Sequence, residues 1–180
     1  MNRAILARSF PVLHKPHVAS AGPHALPSLF AAELTQLARK PVPPGALGEP
    51  DPSMAVYAAT VTTAARGTLN VWAIPGPNDL CIALAPVSGR GGTVECQSDQ
   101  NAAAGRLMGA DEGHGGSSTV VGLLPGSATT ATLSEQDGAT SQTAVSNGLW
   151  VVNDKPRAVG LYAAGVNGTV PIPALPGSSR

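Results

Sequence analysis

From residue 53 onward, short apolar runs rich in β-branched residues alternate with turn residues, as is typical of antiparallel strands. The segment 55–63 fits either a strand or a short helix. The other expected strands are 68–74, 80–86, 91–97, 119–124, 128–135, 140–146, 149–153, 158–166 and 169–172. This pattern predicts a mainly β fold, a small antiparallel β-sandwich or barrel with an N-terminal arm and one short helix.

Pairs of turn residues indicate where the chain forms hairpins. Asp137-Gly138, Asn147-Gly148 and Asn167-Gly168 each lie between two apolar runs and tolerate the positive φ angles of a type I′ turn. Three such pairs favour an antiparallel meander over a parallel α/β sheet. The segment 110–118 is predicted as a Gly-rich loop, and the continuous apolar run 119–124 as a strand buried on both faces. Asp99 is expected to cap a helical turn, although a strand into Leu107 also fits.

The two cysteines have matching positions on a predicted hairpin. When 80–86 folds back on 91–97 through the loop 87–90, Cys81 lies opposite Cys96, within disulfide reach. In the chain-entropy description, closing a loop of this size contributes about 3 kcal/mol. Such a bond persists in an oxidising compartment. The alternative is a pair of unpaired, buried cysteines in a cytosolic protein.

The first fifty residues differ in character from the rest. Residues 9–27 are rich in Pro and His and predict an extended or irregular arm, followed by a helix at about 28–40. Its apolar stripe, Phe30, Leu34 and Leu37, should dock on the β-domain or on a partner. Five prolines at 41–52 predict a semi-rigid linker. We therefore divide the chain into an arm, helix and linker (1–52), a β-domain (53–176) and a tail (177–180).

Composition and charge exclude some classes of function and indicate how the core is built. Basic and acidic residues both number 11, and no local window carries a basic stripe or stacking aromatics, so we expect no nucleic-acid partner. The apolar fraction of 43% comes from Ala, Val and Leu, so the core must be built from small side chains, with Trp72 and Trp150 inside it.

Localisation is less clear from the sequence. The N-terminus shows no continuous apolar stretch of signal-peptide length, and no segment is long enough to span a bilayer. A truncated start, an internal location or another export route would each explain this. The cysteine pair favours an extracytoplasmic or cell-envelope location, with the cytoplasm as the alternative.

Candidate catalytic residues cluster in one loop. Asp111, His114 and Ser117 supply the residue types of an orienter, base and nucleophile, and Gly113-His114-Gly115-Gly116 resembles an esterase oxyanion loop. The chain has no Gly-x-Ser-x-Gly elbow, and residues crowded in one loop cannot easily converge as a triad. We therefore assign no catalytic residue and keep these three as weak candidates.

Histidines in the arm form a second cluster. His14, His17 and His24 are potential zinc or copper ligands, but they lie in a Pro-rich segment without nearby Cys and with no carboxylate before Glu33. They are better explained as surface side chains. We expect no metal and no cofactor.

Several segments together carry a family resemblance: Phe10 to Pro16, Val71 to Gly76 leading to the cysteine pair, Val121 to Gly126, and Asn147-Gly148. With the short helix between them, they resemble a group of uncharacterised bacterial envelope-associated small β-domain proteins. Many members carry an N-terminal membrane anchor, and we expect this sequence to depart from the group by having none. The resemblance implies an envelope-facing β-domain with one disulfide and brings no catalytic residue.

The favoured hypothesis is a non-catalytic extracytoplasmic β-domain with a binding or structural role, monomeric, with an envelope or cell-surface protein as its partner. One alternative is a small hydrolase that uses the loop around His114 and Ser117. Another is an inhibitor or adhesion module that presents this Gly-rich loop. The ligand is not predicted.

Overall fold

The computed structural model describes residues 6, 8–18, 22–38, 50–63, 67–88, 91–112, 118–153, 158–164, 166 and 168–172. It is mainly β and contains two antiparallel sheets, one of them curled into a half-barrel, which confirms the predicted fold class. The first sheet consists of β1 (Val56–Thr63), β2 (Gly67–Pro75), β3 (Asp79–Pro86) and β4 (Thr93–Ser98). These strands lie in chain order, so the sheet is a meander with β1 and β4 at its edges.

The second sheet has seven strands. They are β5 (Leu107–Glu112), β6 (Ser118–Leu123), β7 (Thr130–Glu135), β8 (Thr140–Ser146), β9 (Leu149–Asn153), β10 (Ala158–Ala163) and β11 (Val170–Pro171). Their order is β11-β10-β7-β8-β9-β6-β5, and neighbouring strands pair in the antiparallel sense throughout the described sheet. The segment 55–63 is thus a strand rather than a helix, and the last two predicted strands are shorter than expected.

The helices are few and short. Among the described residues, those with both ends defined are 3-10 helices at Pro11–His14 and Pro52–Met54, and α-helices α1 (Ser28–Ala38) and α2 (Asp99–Ala103). Helix α1 buries Phe30 and Leu34 against the first sheet, so the predicted docking on the β-domain is confirmed. The predicted cap of α2 is wrong: Ser98 accepts from Asn101 N, and Asp99 is the first helical residue.

Strand β3 shows how the first sheet is covered on both sides. All eight of its residues are buried. Leu80, Ile82 and Leu84 face the core between the two sheets, while the alternate residues face α1. Because side chains of a strand alternate between faces, one apolar run supplies two cores at once.

The middle of the second sheet is also buried on both faces. On β6, Val121 and Leu123 face the first sheet, whereas Val120 faces a separate core enclosed by the curled part of the second sheet. The prediction of a strand buried on both faces is confirmed. Trp150 fills that second core and Trp72 lies beneath α1, both almost fully buried as predicted.

The N-terminal arm contributes directly to the main core. Leu6 and Phe10 are fully buried and Val12 is 1% exposed, and all three pack in the cluster between the two sheets. Phe10 N donates to Leu6 O at 3.1 Å, which closes one helical turn. The arm was predicted to be extended or irregular, but it contains a 3-10 helix at Pro11–His14 and a β-bridge at His17, and its apolar side chains are structural.

Two predicted turns have different outcomes. Asn147 and Gly148 have φ angles of 51° and 80° between paired β8 and β9, as a type I′ turn requires. The type I′ prediction for Asp137-Gly138 is wrong, because only Gly138 has positive φ. There the chain turns from Glu135 to Gly138, with Gly138 N donating to Glu135 O.

The Gly-rich loop predicted at 110–118 is shorter than expected. Residues 110–112 belong to β5 and Ser118 begins β6, so strand pairing continues where a loop was predicted. The remainder of that loop lies outside the described residues. Most of the Pro-rich linker and the C-terminal tail do as well.

Candidate functional site

The disulfide joins the two residues that the hairpin register predicts. Cys81 pairs directly with Cys96, their Cα atoms lie 4.0 Å apart, and the sulfurs are bonded. Cys81 is fully buried on the face of the first sheet that α1 covers, in the same cluster as Phe30 and Trp72. A buried disulfide indicates a non-reducing environment.

A cleft forms where the arm passes along the edge strand β1. His17 forms an antiparallel bridge with Val56, and Val18 N donates to Ala55 O at 2.9 Å, so the arm adds a short strand-like segment to the open edge. The turn of residues 22–25 is closed by Ala25 N donating to Gly22 O at 3.1 Å. The space between these two parts of the arm is the arm cleft.

A bulge in β1 positions the Lys15 ammonium group beside this cleft. The register with β2 shifts between Tyr57 and Ala59, which leaves Ala58 without a cross-strand partner. Lys15 Nζ donates to the Ala58 carbonyl at 2.5 Å. The irregularity in β1 therefore provides an anchor that holds an ammonium group beside the cleft.

Aromatic rings line the same place. The His24 imidazole stacks on the Tyr57 phenol with ring centroids 4.0 Å apart, and Tyr57 meets Trp72 edge-on at 6.2 Å. Trp72 Nε1 donates to the His24 carbonyl at 2.9 Å, which ties the arm to β2. The Tyr57 hydroxyl contacts Thr60 Oγ1. The Tyr57 side chain therefore has contacts both at its ring and at its hydroxyl group.

The arm cleft measures about 390 Å³ and opens to solvent. Its lining includes Lys15, His17, His24 and Tyr57, together with Pro16 and Pro23. This volume lies within the range of small-molecule sites, which are mainly apolar with a few polar groups. Proline and stacked rings have few torsions to lose on binding, so the cleft is largely preformed.

Asp79 forms a second unusual feature, at the start of β3. It is fully buried, and neither carboxyl oxygen has a hydrogen-bond partner among the described residues. The pKa of Asp79 is raised to about 6, mainly because burial disfavours the charged carboxylate; the polar backbone of Asp79 itself partly offsets this rise, and the negative charge of nearby Asp99 adds to it. We expect this group to affect stability rather than binding, because Asp79 is not one of the residues that line the arm cleft.

Most of the weak catalytic candidates fall outside the part of the chain that the structure describes. The backbone of Asp111 lies on β5 opposite Thr119, whereas His114 and Ser117 lie outside the described residues. Within the described ranges, no group of three or more His, Cys, Asp or Glu could hold a metal ion.

The arm histidines behave differently from one another. The structure brings His17 and His24 to one cleft but places His14 at the end of a 3-10 helix. Sequence reasoning missed Tyr57 and Lys15 as their neighbours. The sequence signal that was available is the lack of any acidic residue before Glu33, because the β1 bulge has no sequence marker.

Comparison of the chain with protein-family models, with curated protein sequences and with solved structures finds no match. The described helices are all too short or too polar to cross a membrane.

Proposed function

We propose that this protein is a non-catalytic extracytoplasmic β-domain that binds a small ligand in the arm cleft. The observation that carries the proposal is the cleft itself, an open space of about 390 Å³ bordered by the arm, the bulged edge strand and the stacked rings of His24 and Tyr57. Bulged edge strands often re-aim side chains at functional sites. The Cys81–Cys96 bond supports the proposed compartment.

The compartment is tested by thiol chemistry. Protein recovered from its native cells is alkylated at once, without reductant, and the peptides containing Cys81 and Cys96 are analysed by mass spectrometry. We expect both residues joined and unalkylated. Alkylated thiols at both positions would contradict an extracytoplasmic location.

Binding is tested by protein-observed NMR against a fragment library of neutral, cationic and anionic compounds. We expect at least one class to shift the amide signals of His17, His24 and Tyr57, while signals of β11 residues stay unchanged. A library that leaves the cleft signals unmoved would contradict the proposed function.

A further inference from the structure

The described lining of the arm cleft has basic side chains and no acidic ones. The first 32 residues of the chain contain Arg3, Arg8, Lys15 and three histidines but no carboxylate, the first acid being Glu33. The described lining of the cleft likewise holds one ammonium and two imidazoles, and no carboxylate. An anion entering the cleft meets no repulsive side chain there.

Lys15 is positioned to receive that anion. An ammonium has three donors, and the Ala58 carbonyl accepts one of them at 2.5 Å. This bond fixes the position of the nitrogen before a ligand arrives, which lowers the entropy cost of a charge-assisted hydrogen bond. The remaining donors are available to an anion.

The rest of the cleft suits a flat apolar body. His24, Tyr57 and Pro23 all line the cleft, and the His24 and Tyr57 rings stack on each other, so ring side chains make up much of its wall. A strongly hydrated anion such as free phosphate would leave these surfaces unused. A two-histidine metal site is disfavoured, since the described residues offer no third ligand.

We propose, on the basis of the binding function above, that the arm cleft takes a small organic carboxylate with a flat apolar body. Lys15 holds the carboxylate, and the apolar body lies against Tyr57 and the neighbouring proline. Because the two parts of the ligand contact different walls, both are needed for affinity. Either part alone should bind weakly.

The test uses three probes on the intact chain: 3-phenylpropionate, its neutral amide, and acetate. NMR titration of the cleft signals should give phenylpropionate a dissociation constant at least about tenfold lower than that of the amide or of acetate. A charge-assisted hydrogen bond contributes more than a neutral one. An amide that binds as tightly as the acid overturns the proposal.

Variants distinguish the effect of the Lys15 ammonium group on binding from the effect of the net charge of the chain. Lys15→Gln should weaken phenylpropionate binding about tenfold and leave the amide unchanged, while Lys15→Arg should retain binding. Arg8→Gln makes the same change in net charge on an exposed arm residue outside the cleft and should stay within about twofold. Equal losses in Lys15→Gln and Arg8→Gln would overturn the assignment of Lys15, as would a loss in Lys15→Arg.

The outcomes also separate this inference from the proposed function. Cleft shifts caused only by neutral or cationic fragments would overturn the carboxylate preference and leave the binding function standing. Absence of cleft shifts with every fragment and every probe would overturn both.

Discussion

Gly122 lies directly opposite Trp150 across strands β6 and β9, and the indole covers the place where a side chain at residue 122 would be. A Cβ atom added to Gly122 would lie 2.4 Å from Cε2 of the ring. Trp150 is fully buried in the core enclosed by the curled sheet. The missing side chain of Gly122 is therefore what allows the largest residue of this core to fit.

Replacing Gly122 should destabilise this core. We expect Gly122→Ala to lower the free energy of unfolding by about 2 to 3 kcal/mol, because the rigid indole must move to admit the methyl group. Urea denaturation checks this. Gly109→Ala, on neighbouring β5, is the matched control, since its Cβ would meet only the side chains of Leu84 and Ile82, at 3.2 Å or more. Equal losses in both variants would contradict the explanation.

Removing the disulfide should also weaken the fold. The double variant Cys81→Ala/Cys96→Ala should unfold with about 3 kcal/mol less free energy than the oxidised protein, as expected for a loop closed over 15 residues. Denaturation with and without reductant provides the measurement. Reductant should lower the stability of the parent protein and leave that of the double variant unchanged, so a reductant-insensitive parent would refute the prediction.

The arm should contribute to stability despite its irregular backbone. Leu6 is fully buried between the sheets, so Leu6→Ala should cost about 3 kcal/mol. Leu29→Ala is the control, because Leu29 is 63% exposed on α1 and should cost under about 0.5 kcal/mol. If thermal and urea denaturation gave the same small change for both variants, the arm would not be part of the core.

Asp79 should make the protein less stable as the pH rises. Its pKa is about 6 in the folded chain against 3.8 ordinarily, so the folded state binds more protons between these values. The stabilisation is complete below pH 3.8 and is lost as the pH rises through 6, a change of about 3 kcal/mol.

Asp79→Asn tests this dependence. It should raise the free energy of unfolding at pH 7 relative to the parent and have little effect at pH 4, because the asparagine stays neutral throughout. Glu95→Gln, on exposed β4 surface, should change neither value. The linkage is disproved if the difference between parent and Asp79→Asn is the same at both pH values.

The sequence predicted features that depend on local chemistry. The positive φ angles of Asn147 and Gly148 follow from residue type, and the Cys81–Cys96 register follows from counting outward from one loop. It failed at Asp137, where a local hydrogen bond from the side chain competes with the type I′ turn. The turn at Asp137 adopts another form because its Oδ1 accepts from Ala139 N.

The contribution of the N-terminal arm to the core was not predicted from the sequence. Leu6 and Phe10 have the i, i+4 spacing of one helical turn, but the intervening arginine and the following prolines obscured it. The cleft was not predictable, because it depends on a bulge at Ala58 and on contacts between residues more than 30 positions apart, such as His24 and Tyr57.

The most direct measurement is an NMR search for intermolecular NOEs between 3-phenylpropionate and the intact, disulfide-bonded protein. The account predicts NOEs from the phenyl protons to the rings of Tyr57 and His24, together with a shift of the Lys15 side-chain signals when the probe is added. Phenyl NOEs confined to other residues, or none at saturating probe, would contradict the account.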